Sequence, residues 1–170
     1  MLRRSLAVSG LALALMGCPE FESASYSIDL KNQQITVILK NLHTNDATKA
    51  DEDLAFLLAE ARDPSPEEGI TDVKVELYED NGMLNAKWTG TFANLEAAEI
   101  FQYDRKSPLM WCTSDSLATL ATETGKVTKL VPNCVFFDRK AKQLEFTLSH
   151  PGENITSLLP QFKAYKASNP

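Results

Sequence analysis

Several residues and patterns that carry enzyme chemistry are scarce or missing in this chain of 170 residues. There are two histidines, His43 and His150, and no Gly-x-Ser-x-Gly elbow, so a serine hydrolase would have to recruit one of those two as its base. There is no His-Glu-x-x-His pair for zinc and no dinucleotide fingerprint. Glycine occurs only seven times, twice within the first 17 residues, which leaves few backbone positions able to wrap a phosphate. Three cysteines are present without a Cys-x-x-Cys spacing, so a thioredoxin-like redox pair is absent. The EF-hand loop spacing is also missing from the acid cluster Asp51, Glu52 and Asp53. On these grounds no residue is nominated as catalytic, cofactor-binding or metal-ligating. A zinc site would need Cys112, Cys134, His43 and His150 together, and their spacing is not finger-like.

Basic charge is also short. The chain carries 17 basic and 23 acidic residues, a net charge of −6, which argues against a nucleic-acid partner because a phosphate backbone requires a basic footprint. The imbalance is local. From 46 to 80 twelve acids face only Lys49, Arg62 and Lys74, whereas from 81 onward eight acids meet ten bases. Such a block ordinarily forms a solvated face. Its sharper reading is a contact surface for a cationic partner.

The one long apolar run lies at the start. Arg3 and Arg4 form a short positive region, and residues 5–16 form an apolar stretch too short to span a bilayer comfortably. Small Gly17 then precedes Cys18. Leu15-Met16-Gly17-Cys18 resembles the lipobox of bacterial lipoproteins, in which an apolar residue stands three before the cysteine and a small one just before it. The resemblance covers the leader alone. It implies a signal peptide over 1–17, a diacylglyceryl group on the Cys18 thiol, export by the general secretory route and a place in the cell envelope. Pro19 after the cysteine, in place of aspartate, implies the outer membrane, facing the periplasm or the cell surface. Each buried methylene of the acyl chains contributes ~0.8 kcal/mol, so several chains would hold the domain essentially permanently.

With Cys18 assigned to lipid, Cys112 and Cys134 remain as an even pair in an exported protein, which reads as a disulfide. Closing that loop would stabilise the fold by ~3 kcal/mol in the chain-entropy picture. The expected organisation is a leader over 1–17, a lipidated tether over 18–25 and a single domain over 26–170. Extended, residues 19–25 would reach roughly 25 Å.

Within the domain, periodicity gives an α+β fold: an antiparallel sheet of six to eight strands built from sequential hairpins, with one or two helices packed on it. Residues 26–43 read as a hairpin turning at Asn32-Gln33, pairing Leu30 with Ile35, Ile28 with Val37 and Tyr26 with Leu39. Leu54, Leu57, Leu58 and Ala61 recur at helical spacing within 45–63, with acids in the first turn and Pro64 as the stop. Asn81-Gly82 is a type I′ turn signal that pairs Leu77 with Ala86 and Val75 with Trp88. Over 94–108, Asn94 can cap a short helix through Ile100 or residues 99–103 can form a strand, and the latter piece reads better as a strand. The 109–131 stretch reads either as a helical turn at Leu117 and Leu120 or as a hairpin tipped near Glu123, which would set Cys112 opposite Cys134. A third hairpin is expected over 133–150. A terminal helix is expected over 154–166, starting at Ser157 so that Pro160 falls in its first turn.

Together these features point to a membrane-anchored envelope lipoprotein acting as a non-enzymatic binding or scaffolding module. Its implied partners are the membrane, through the lipid, and an envelope protein. The alternatives are a small hydrolase using His43 or His150 and a carrier of a hydrophobic ligand.

Overall fold

The structure of the protein is a computed structural model, which describes residues 19–150 and 155–169. Cys18 lies outside the described residues. The described chain forms β1 (Ser23–Asp29), β2 (Gln34–Lys40), β3 (His43–Thr44), α1 (Ala50–Arg62), β4 (Ile70–Asp80) and β5 (Met83–Phe92). It continues with β6 (Leu109–Cys112), β7 (Thr119–Ala121), β8 (Gly125–Thr128), β9 (Val131–Phe137), β10 (Gln143–Ser149), β11 (Thr156–Ser157) and α2 (Leu159–Ser168). The α+β class is as the periodicity indicates.

Six strands form one antiparallel sheet in the order β4-β5-β2-β1-β10-β7. Alternation within each strand sends Ala24, Tyr26, Ile28, Ile35, Val37 and Leu39 to one buried face. That face is covered in two halves. Over β4 and β5 lie the helices, with Leu54, Leu57, Leu159 and Phe162 buried. Over β1 and β10 lies a three-stranded sheet, β6-β9-β8, whose Trp111 ring sits 4.5 Å from Phe146 and 5.3 Å from Tyr26. Tyr26 and Phe146 are themselves stacked, 4.6 Å apart. The central strands thus carry an aromatic seam where the second layer meets the first.

The β4–β5 hairpin is as expected: Leu77 pairs with Ala86 and Val75 with Trp88, which sets Glu76 opposite Lys87. Asn81 and Gly82 both have positive φ, 53° and 74°, the conformation a type I′ turn requires. The first hairpin keeps its faces but slips by two residues: Ile28 pairs with Ile35 and Tyr26 with Val37. The cause is Asp29. Its carboxylate accepts the backbone N–H groups of Lys31 and Asn32 and the Asn32 side-chain amide, all within 2.9 Å. These bonds, those from Asn32 foremost, hold the Asp29 carboxyl below the usual carboxylate range and close a four-residue loop in place of a two-residue turn.

The helices form where expected. Asp63 caps α1 before Pro64, and the Ser157 hydroxyl accepts the Leu159 N–H at the entry to α2, with Pro160 in its first turn. Three local expectations fail. Residues 94–100 form turns, with Asn94 accepting the Ala97 N–H and Glu99 at φ 54°, and only Phe101 makes a single bridge, to Met110. Leu117 is exposed and starts no helical turn; the threonine-rich run is β7 and β8. The 133–150 hairpin does not exist, because β9 and β10 lie in different sheets. Their connection turns a corner, with the Asp138 carboxylate accepting the Lys140 N–H, so that Phe137 faces Phe146 across the layers, 6.0 Å apart. Cys112 and Cys134 are direct cross-strand partners on β6 and β9 and form a disulfide. The pairing is as expected; the single hairpin imagined to produce it is not, because β7 leaves the loop to pair with β10.

Candidate functional site

The residues just after Cys18 are not a free tether. Pro19 is among the most deeply buried residues, and Glu20 is bridged to His43 in both directions: its N–H donates to the His43 carbonyl (2.7 Å) and its carbonyl accepts the His43 N–H (2.9 Å). Glu22 donates its N–H to the Lys40 carbonyl, and its own carbonyl accepts the His150 N–H. β1 then starts at Ser23, so the expected tether over 18–25 is corrected: residues 19–25 belong to the body of the domain. The physical reason is that these residues continue the pairing of central strand β1 toward β3 and the end of β10, which satisfies their backbone groups.

Both histidines hold this segment. His43 is buried and its Nδ1 donates to the Asn41 carbonyl at 2.7 Å, which turns Nε2 toward the Glu20 carboxylate at 3.8 Å. His150 lies edge-on to the Phe21 ring, centroids 5.3 Å apart, and its Nδ1 is 3.1 Å from the Asp115 carboxylate. Around them is a polar frame. Asn41, at φ 53°, donates its N–H to the buried Asn85 side-chain oxygen and its side-chain amide to Glu22. The Asn45 amide donates to Glu20 at 2.6 Å. Glu20, Glu22 and Asp115 are therefore each engaged.

A hydrolase arrangement is not assembled among the described residues. His150 has a carboxylate neighbour in Asp115, but neither histidine has a serine hydroxyl among its hydrogen bonds, and neither lines either of two grooves on the described surface. Both are open grooves outside the layered core. One, about 400 Å³, lies on the outer face of the large sheet between Ser25, Ile38, Glu123 and Thr147. The other, about 770 Å³, runs between α1 and α2 and is lined by Leu54, Leu58, Pro160 and Tyr165. No set of three His, Cys, Asp or Glu side chains is placed to hold a metal among the described residues, and Cys112 and Cys134 are committed to each other.

The acidic block spreads along the molecule. α1 begins beside β3 and runs to the opposite end of the sheet, where the connector 63–69 leads into Ile70. Asp51, Glu52, Asp63 and Glu68 are exposed, whereas Asp53 is buried. At the far end Glu67 is half-buried. Burial first, then the neighbouring charges of Glu99 and Glu60, push its carboxyl up to about 7. The buried Tyr26 hydroxyl is raised as well, mainly by burial and then by Glu99 and Glu67.

The clasp was not foreseen from sequence. Its one local signal is Phe21, an aromatic side chain in a stretch read as a solvated tether. Among the described residues no helix is long and apolar enough to cross a membrane. The chain matches no protein-family model, no curated protein and no solved structure.

Proposed function

We propose that this protein is an envelope lipoprotein, fixed to the outer membrane by lipid on Cys18, whose domain is a non-enzymatic binding or scaffolding module. The lipobox-like order of residues 15–18 carries the reading. The clasp supports it: an anchor at Cys18 would adjoin the buried Pro19, so the membrane would hold the folded body without slack. A module held this way presents a fixed end to the bilayer and its opposite end to the surroundings. α1 and the connector 63–69 carry exposed carboxylates along that axis, which suits a cationic envelope-protein partner.

The test is crosslinking in intact cells with the parent chain and with a variant carrying Glu52→Lys, Asp63→Lys and Glu68→Lys, all at exposed positions. Loss of a crosslinked partner with folding intact is the expected result. An unchanged set of partners removes the acidic face from the proposal.

A further inference from the structure

We infer that the turn between β8 and β9, residues 128–131, is a second membrane contact that lies against the lipid surface beside the Cys18 anchor. This rests on the lipoprotein reading of Cys18. The turn carries Leu130, 94% exposed, with Val127 and Val131 each 37% exposed. Leu117, 73% exposed, stands in the loop between β6 and β7. The solvated apolar side chains of the 127–131 turn mark a contact surface. The same stretch has the charge a phospholipid surface favours: residues 124–137 contain Lys126 and Lys129 and no acid, in a chain of net charge −6.

Position selects a bilayer as the occupant. β9 starts beside the anchor end and runs away from it. Phe137 lies against Phe146 in the middle of β10, whereas Asn133 is joined to Thr113 by two hydrogen bonds, 2.9 and 3.1 Å. Two residues beyond Thr113, Asp115 meets His150, which packs on Phe21. The exposed turn therefore projects at the end of the molecule where the chain emerges from Cys18. The disulfide at Cys112–Cys134 ties β6 to β9 at the base of this projection, so the turn is carried on a stiff support. Asp80 and the β4–β5 turn lie at this end too, on the opposite edge of the six-stranded sheet, so the contact is confined to the β7 side. Tyr103, 96% exposed, sits before β6, at the other end of that strand, and takes no part.

The experiment uses the full-length protein, matured in cells and reconstituted into phosphatidylethanolamine–phosphatidylglycerol vesicles with brominated acyl chains, which quench tryptophan at depth. Trp88 and Trp111 are buried and give the background. Leu130→Trp adds an emission expected to be blue-shifted and quenched, while that added by Tyr103→Trp stays red and unquenched. Adding Lys126→Glu and Lys129→Glu to Leu130→Trp should reduce the quenching. Unquenched Leu130→Trp on protein that floats with the vesicles overturns the contact and leaves the anchor standing, as does equal quenching at both positions. Protein that fails to float and carries an unmodified Cys18 overturns the anchor, and the contact with it.

Discussion

Glu67 shows how one half-buried carboxyl sets a pH dependence. Its folded-state value, about 7, lies above the 4.5 of a free glutamate. Between those limits the folded state binds more protons than the unfolded chain, so stability falls as pH rises from about 4.5 through about 7. Glu67→Gln removes the ionisation and should raise stability at pH 8 by ~1 kcal/mol after allowance for solvent screening. At pH 4.5 it should change little. Thermal melts of both proteins across that range check the sign; a variant destabilised equally at both ends contradicts it. At the opposite end of the sheet, Asn85 acts through hydrogen bonding alone. Its oxygen accepts the N–H of Asn41, the residue whose left-handed backbone turns the chain from β2 into β3. Asn85→Leu leaves that donor unpaired and should cost about 1–3 kcal/mol in denaturant titration. It should also increase amide exchange at Glu20 and Glu22, because Asn41 also holds Glu22 and accepts from His43.

The elements with local signatures are the ones sequence makes legible. Asn81-Gly82 specifies both a turn type and a register, and the β4–β5 pairing follows from it. Leucine spacing with first-turn acids specifies α1, and Pro160 specifies where α2 can begin. The register of β1 and β2 is not legible in this way, because the loop is decided by hydrogen bonds to Asp29 that alternation does not encode. For β9 and β10, alternation identifies the apolar face of each strand without saying that the two faces meet across layers. The clasp is less legible still, since it consists of long-range backbone pairs from residues 19–22 to β3 and to the end of β10. The disulfide lies between these cases: counting cysteines finds the pair, and the β6–β9 ladder supplies the geometry. Replacing both cysteines by alanine should cost ~3 kcal/mol in the chain-entropy picture. The expected readout is an earlier urea midpoint, with the main sheet's far-ultraviolet signal retained in the absence of denaturant. A midpoint unchanged from the parent would mean that the crosslink constrains the unfolded chain little.

At the scale of the whole molecule, the six-stranded sheet carries helices over one half and a small sheet over the other, and its start is sewn into one end. Both histidines serve that seam. The layout gives the proposed anchor a mechanical meaning. Lipid attached beside buried Pro19 would fix the orientation of the body, setting the β8–β9 turn toward the bilayer and the connector 63–69 away from it. All of this depends on the chemistry at Cys18, which the mass of the amino-terminal peptide from membrane-extracted protein reads directly. The expected result is a mature chain that begins at Cys18 and carries diacylglyceryl on its thiol. An amino-terminal peptide with an unmodified Cys18, or one that begins at another residue, would contradict it.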